Sequence, residues 1–426
     1  MTLPRRLLAW YGDDFTGSTD VLDVLASRGL ETVLFLEIPD EALLARFADY
    51  RAIGLAGIAR GESPEWMSRN LPEIFEWMKG LGAPVCHYKV CSTFDSSPEV
   101  GSIGRAIEIG RDVFECTCVP AIVGAPALRR YMAFGNLFAT VGADTYRIDR
   151  HPTMSRHPVT PMHEGDLRLH LGAQTRLRIG LVDVLDLCAQ DPDARAAARM
   201  REGAEILFID VFDEETLVRA GRVLWNLRPP FVAGSSGVEY ALAAHWLGPA
   251  NPPSTAPPRV DRVAILSGSC SPVTAAQIHH AASVGFAAIR LDVRAILEGA
   301  GAERAANEAV EALANDRSVV LYTSSSDADR LPLGDARNAL AERAGRMFRG
   351  VLDRSGVRRA MVAGGDTSSH AGRQLSIGAL TFLGRIAPGA PLCRAWSNDP
   401  SRDGMEIVFK GGHLGGPDFF ERLLGA

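Results

Sequence analysis

The chain has 426 residues, a hydrophobic fraction of 46%, a charged fraction of 23% and a formal net charge of −6. That length supports two or three cores, and the composition excludes a disordered or fibrous chain. An acidic balance with scattered arginines excludes a basic nucleic-acid footprint, and no apolar run approaches the roughly 18 residues that span a bilayer. The first apolar stretch ends before Asp13, too short for a secretory leader. Seven cysteines without a paired spacing read as reduced, mostly buried thiols of a cytoplasmic protein.

In chain order, runs rich in Val, Ile, Leu and Ala predict strands at 7–11, 32–36, 52–58, 85–90, 121–123, 179–182, 206–211 and 231–233, with a helix at 18–28 closed by Gly29. Residues 249–258 hold five prolines in ten positions, a density that forbids helix and central strand and marks a semi-rigid linker. Beyond it, strands are predicted at 263–266, 287–291, 319–322, 360–362 and 407–409, with a helix from Thr274 and a helical segment from Gly364 through Leu380. Strands apolar on both faces and separated by helices belong to parallel sheets. The expectation is an α/β protein of two domains, each a largely parallel sheet flanked by helices, with an interdomain cleft. The domains are read as 1–248 and 262–426, with the linker at 249–261. Ligands are expected beyond the carboxyl ends of the strands.

Several strand ends carry chemistry. Gly12-Asp13-Asp14-Phe15-Thr16-Gly17 follows the first strand. Two adjacent carboxylates cannot both face a core, so at least one projects into the crevice to bind hydroxyls or act as a general base. The competing use is a helix start, with Thr16 or Ser18 as N-cap. Lys89 is placed to pair with a carboxylate, and Ser92, Thr93 and Asp95 after it offer hydroxyl-binding groups, unless the run is a solvated loop of hydroxyl turns. Arg60 is an isolated anion-binding candidate. His151, His157 and His163 fall at intervals of six with prolines between, which suits a loop closing over an anion better than zinc.

In the second half, Ser267-Gly268-Ser269-Cys270-Ser271-Pro272 and Gly364-Gly365-Asp366-Thr367-Ser368-Ser369 follow strands and open helices, as a phosphate-cradling turn does. No Gly-Lys-Ser/Thr follows, so neither is a Walker loop. Asp366 is a candidate for Mg²⁺ through water or for a ribose hydroxyl. Lys410-Gly411-Gly412-His413 adds a third glycine-bearing strand end, and the set predicts nucleotide binding.

In order and spacing these motifs resemble those of the four-carbon acid sugar kinases, a family that includes D-threonate, D-erythronate, 3-oxo-tetronate and 3-oxo-isoapionate kinases. The resemblance covers nearly the whole chain. It implies a sugar-acid-binding N-terminal domain, a nucleotide-binding C-terminal domain, and phosphorylation of a terminal hydroxyl using ATP and Mg²⁺. By it, Asp13 or Asp14 is catalytic, and Asp13, Arg60, Lys89, Cys91, Ser92, Thr93 and Asp95 bind the acid. Ser267, Ser269, Gly364, Gly365, Asp366, Thr367, Gly411 and Gly412 bind ATP, while metal ligands stay unassigned. Many members carry Lys-x-Asp-Ser-Thr-Leu-Arg-Gly where this chain has Lys89-Val-Cys-Ser-Thr-Phe-Asp-Ser96, so Cys91 replaces an acid and Asp95 an arginine. Gly411-Gly412-His413 likewise replaces a Ser-Gly-Asn/Gly run. Closure of the domains about the linker would exclude water from the cleft. The expected partners are a small sugar acid and ATP, with a homodimer neither required nor excluded. Two other readings stay open: a non-catalytic sugar-acid sensor, and a dinucleotide-dependent oxidoreductase, which lacks the usual Gly-x-Gly-x-x-Gly.

Overall fold

The first half contributes β1 (Leu8–Gly12), β2 (Thr32–Phe35), β3 (Ala52–Ala56), β4 (Val85–Lys89), β5 (Val119–Ile122), β6 (Arg130–Ala133), β7 (Asn136–Val141), β8 (Asp144–Arg147), β9 (Ile179–Val182), β10 (Ile206–Ile209) and β11 (Phe231–Gly234). The second half adds β12 (Ala264–Ser267), β13 (Ala287–Arg290), β14 (Val319–Tyr322), β15 (Arg359–Ala363), β16 (Ala379–Ala387), β17 (Ala390–Trp396) and β18 (Glu406–Lys410). This computed structural model describes residues 4–157, 159–248, 257–325 and 336–425. Residues 249–256 of the expected proline-rich linker lie outside the described residues. Among the described residues no helix is long and apolar enough to cross a membrane.

Strands β2-β3-β1-β4-β11-β5-β10-β9 pair in parallel, as do β13-β14-β12-β15-β18. The first set reverses its winding direction twice and the second once. After β1 the chain lays β2 and β3 on one side and β4 on the other, and after β12 it lays β13 and β14 on one side and β15 on the other. Such reversals part the loops at the strand carboxyl ends and open a crevice there.

The two parallel sets are fused into one 15-stranded sheet. The fusion runs through the antiparallel hairpin of β16 and β17, with β17 pairing with β18 and β16 with β2. At the joint, Ala379 faces Phe35, Leu380 faces Leu34 and Thr381 faces Val33. The helical segment expected through Leu380 is therefore corrected: the helix is Gly365–Gly372, and Leu380 lies in a strand. Gly378 and Gly384 disfavour a helix there, and Pro388-Gly389, with Gly389 at φ 74°, makes the hairpin turn. A separate antiparallel sheet, β6-β7-β8, also went unpredicted. Its first turn places Phe134 and Gly135 at φ 53° and 79°, the positive pair that a tight hairpin demands.

One buried apolar cluster crosses the joint, from Trp10, Phe15 and Leu34 to Leu380, Ala395 and Phe409. Burial of such side chains contributes about 2 kcal/mol each. Rotation of either half about residues 249–261 alone would shear both this cluster and the β2–β16 pairing. The hairpin tip is also pinned to the helix Phe15–Ala26: Arg385 donates to Asp23 at 2.9 Å and to Ser27 at 2.9 Å, and the Gly389 amide donates to Asp23 at 3.1 Å. Cys86, Cys118 and Cys393 are buried, Cys91 and Cys116 half-buried, and Cys188 and Cys270 exposed, so fewer are buried than expected.

The Asp23 side chain is 0% exposed, and burial already raises its carboxyl against the pull of Arg385. Arg385→Met should cost about 3 kcal/mol in urea unfolding at neutral pH, because it strands a buried charge. Asp23→Asn in the same chain should recover part of that loss.

Candidate active site

The first crevice opens where β1 ends. Asp14, not Thr16 or Ser18, is the N-cap of the helix Phe15–Ala26: its backbone is extended (φ −142°, ψ 164°) and its side chain accepts from the Gly17 amide. Thr16 Oγ1 donates to Asp14 at 3.1 Å, while Ser18 Oγ turns back to the Asp14 carbonyl at 2.7 Å. Asp13 is held by its backbone, its amide donating to Lys89 O at 2.9 Å and its carbonyl accepting from Arg60 N at 3.0 Å.

Arg60, in a single turn after β3, organises the carboxylates. It donates to Asp14 Oδ2 at 2.8 Å and to both oxygens of Asp95 at 3.1 and 3.0 Å. Asp95 is buried and also accepts from Thr93 and, at 2.8 Å, from Thr160. Burial alone would raise Asp95, but Arg60, His157, Thr93 and Thr160 outweigh it and hold the carboxyl well below its usual range. Asp14 is likewise lowered overall, because Arg60, Lys89 and the Gly17 amide overcome its burial. Lys89 is buried with Nζ 3.8 Å from Asp20, and a methyl on Gly17 would sit 2.5 Å from that nitrogen, so glycine is required there. Cys91 Sγ accepts from Thr93 Oγ1 at 3.0 Å, and Ser92 beside it is half-buried.

Asp13 differs from all of these. It is buried, and its Oδ1 has no hydrogen-bond partner among the described residues. Burial, then the adjacent Asp14 charge, push its carboxyl up to about 8, against the pull of Arg60 and Lys89. One carboxyl of the predicted pair is engaged and ionised, and the other is free and titrates near neutrality.

The second crevice lies where β12 and β15 end. Ser267 Oγ is buried without a partner among the described residues. Gly268 packs so closely that an added methyl would meet Thr367 Oγ1 at 2.0 Å, and Gly364 holds φ 110°. Ser269 Oγ accepts from the Ser271 amide at 3.2 Å, and Ser271 caps the helix Pro272–Ser283. That helix starts before the Thr274 that the sequence suggested. A methyl on Gly412 would come within 2.5 Å of Ser269 Oγ, so the 411–412 loop rests on this turn. Asp366 is exposed and pairs with Arg337 at 3.4 Å.

The two crevices face each other. A methyl on Gly365 would lie 3.6 Å from Asp14 Oδ2, and the Phe15 amide donates to Ser369 Oγ at 3.2 Å. The His-rich stretch expected to close over an anion also enters: Thr160, which the sequence did not single out, and His157 reach Asp95, with His157 Nδ1 at 4.0 Å. Ser271 and His413 meet at 3.2 Å, and burial, with Lys410, His157, His151 and Arg130 nearby, lowers the His413 imidazole to about 4. Only the unusual density of His and Arg in that stretch signalled its part. Among the described residues no group of three or more His, Cys, Asp or Glu is arranged to hold a metal ion.

Residues 8–242 match the family of sugar-binding N-terminal domains, and residues 264–420 match that of nucleotide-binding C-terminal domains. The chain is similar to the 3-oxo-isoapionate kinase of Paraburkholderia graminis, with 48% identity over 97% of this chain and 93% of the relative. It is also similar to the 3-oxo-tetronate kinase of Pseudomonas fluorescens, with 31% identity over 99% of this chain and 97% of the relative. Among solved structures, a Haemophilus influenzae protein shares the fold at a TM-score of 0.71 and 24% identity, covering 97% of this chain and 98% of that one.

The tightness of the second crevice can be checked by adding single methyl groups. Gly268→Ala, which collides with Thr367, should cost about 2 kcal/mol in urea unfolding. Gly411→Ala, whose methyl would sit 3.6 Å from Leu414, should change stability by less than about 0.5 kcal/mol.

Proposed function

The chain belongs to the four-carbon acid sugar kinase family, and from that premise we propose that it transfers the γ-phosphoryl group of Mg·ATP to a terminal hydroxyl of a 3-oxo sugar acid, of the isoapionate type before the tetronate type. The observation that carries this reading is the apposition of the two crevices, with Gly365 against Asp14 and Ser369 bonded to the Phe15 amide. An acceptor bound at the end of β1 and a phosphate bound at the ends of β12 and β15 then meet without a large movement. The relatives' kinase activities favour this over a sensor or an oxidoreductase. We assign acid binding to residues 1–248 and nucleotide binding to 262–426. Buried thiols such as Cys86, Cys118 and Cys393 suit a reducing, cytoplasmic setting.

Phosphoryl transfer passes through a loose transition state, so positioning and charge placement matter more than covalent help. Asp13 is the group suited to take the alcohol proton. Its free Oδ1 can accept from the hydroxyl, and a carboxyl near 8 is well matched to a base working near neutral pH. Asp14 is committed to the helix cap and to Arg60, and its part is to hold Arg60 in place. Lys89 and Arg60 offset the negative charge that collects when an acid substrate enters. The ends of β12 and β15 offer Ser267, Ser269, Gly364, Gly365, Asp366 and Thr367 to the nucleotide, with Gly411 and Gly412 closing the edge. Mg²⁺, bound with ATP, would supply charge neutralisation on the phosphates, and Asp366, exposed at the crevice, is the residue that would meet it through water.

Substrate choice is assigned to Cys91. Where the resembled family pattern has a carboxylate, this chain has a smaller thiol beside Thr93, and that change is the one expected to favour a branched acid.

These assignments are tested by ADP release over C4 and branched C5 3-oxo acids. Asp13→Asn should lower kcat by about 100-fold or more. Wild-type kcat/KM should climb with pH and level off above about 8, because the base must be deprotonated, and activity is lost as pH falls through that value. The same raised carboxyl makes the folded protein bind more protons than the unfolded chain between about 4 and 8, so Asp13 subtracts stability as pH rises through that window. Asp13→Asn should therefore raise the urea midpoint at pH 8 while losing turnover. An unchanged rate would remove Asp13 from the chemistry. Cys91→Asp should shift the C5-to-C4 preference toward C4 by about tenfold, and an unchanged preference would place specificity elsewhere.

A further inference from the structure

At the end of β18 lies a charge for which phosphoryl transfer as described has no use. Lys410 is fully buried. Its Nζ donates to the Gly411 carbonyl at 3.0 Å and lies 3.4 Å from Thr274 Oγ1, with the Phe419 ring centroid 5.5 Å away. No carboxylate among the described residues pairs with it. On the packed elements, Glu421 is taken by His280 at 2.8 Å and Glu406 by Arg359 at 2.5 Å. The remaining titratable groups there are Asp20 and Asp23 on the helix Phe15–Ala26, where Asp23 is taken by Arg385 and Asp20 lies 3.8 Å from Lys89, Asp366 and His370 on the helix Gly365–Gly372, His279 on the helix Pro272–Ser283, Asp418 and Arg422 at the helix Phe419–Arg422, Arg394 on β17 and His413 in the loop. Of these, His413 is the one whose imidazole Lys410 helps to lower.

The position of the lysine fixes the loop above it. A trans peptide points its C=O and the following N–H in opposite directions. Lys410 holds the Gly411 carbonyl from behind, and Thr274 Oγ1 holds the Gly412 carbonyl at 2.9 Å. The amides of Gly412 and His413 must therefore point away from the core. Neither donates to a partner among the described residues. They lie beside Ser269 and Ser271, in the crevice where Ser267 Oγ is buried and unpartnered. Two outward amides in sequence form an anion-binding concavity.

We propose that Lys410 is a positioning residue of the phosphate site: it aims the Gly412 and His413 amides at a nucleotide phosphate, and its amine takes up a proton as that phosphate arrives. The proposal rests on the nucleotide reading of this crevice. Burial without a counter-ion lowers the Lys410 ammonium to about 7, so at pH 8 the empty site holds mostly the neutral amine. A polyphosphate on the other face of the loop supplies the missing negative charge and favours the ammonium. The proton comes from solvent, and no bond to the nucleotide is made or broken.

The test is calorimetric titration of the full chain with Mg·ADP at pH 8, in buffers of different ionisation enthalpy. Wild type should take up most of one proton. Lys410→Arg stays charged at all working pH values, so it should bind within about threefold of wild type while losing that uptake. Lys410→Met should bind at least about tenfold more weakly, also without the uptake. Equal proton uptake by wild type and Lys410→Arg would overturn the inference, and so would wild-type affinity in Lys410→Met. Should Lys410→Met fail to fold, the comparison of wild type with Lys410→Arg decides alone. Absence of Mg·ADP binding to wild type would instead sink the nucleotide reading, and this inference with it.

Discussion

The pairing of β16 with β2 is the constraint on which the rest of the molecule depends. Two parallel sheets would otherwise be free to sit at any angle. The antiparallel hairpin joins them through Ala379, Leu380 and Thr381, and the Asp23 to Arg385 contact locks the hairpin tip against the first helix. That one joint brings the carboxyl end of β1 and the carboxyl ends of β12 and β15 to the same place. It also limits which movements can close the site. A rigid swing about residues 249–261 would break strand pairing and divide a shared core, so smaller elements are better suited to move. The His-rich stretch around His151 and His157 touches Asp95 through His157 and lies close enough to His413 to disfavour its protonation, so it spans both sides.

Within the site, charge is distributed by competition for Arg60. The guanidinium is bonded to Asp14 and Asp95, and both stay ionised although buried, while Asp13 is left with a free oxygen. Two adjacent aspartates thus acquire different chemistry from one neighbour. The negative charge of Asp95 is met by Arg60 from another loop. A similar asymmetry appears among the lysines. Lys89 has Asp20 and Asp14 and keeps its proton firmly, whereas Lys410 has only neutral partners and titrates near neutrality.

The local grammar of strands, turns and helices was legible in the sequence. Apolar runs located the strands at β1, β3, β4, β12, β15 and β18, and glycine with hydroxyl residues after them marked the crevices. Two pieces were not legible. The β16–β17 hairpin follows closely on a helix, and the helical reading was carried through Leu380, into the start of its first strand. Of the site, Asp13, Arg60 and Lys89 could be nominated from strand ends, whereas the contacts of Thr160, and of Ser369 at the end of its glycine-rich run, could not. Each is a common hydroxyl residue whose meaning lies only in what it touches: Asp95 for one and the Phe15 amide for the other.

The sequence by itself determined the fold class, the family and the inventory of strand-end groups, because periodicity, glycine placement and motif order are properties of neighbours along the chain. Only the tertiary structure decided which aspartate is free, where Lys410 is buried, and how the two crevices meet. Those outcomes depend on Arg60 reaching Asp14 and Asp95 across 46 and 35 residues, and on β16 finding β2 across more than three hundred. Burial and charge pairing over such separations are set by packing in space, and no local pattern along the chain records them.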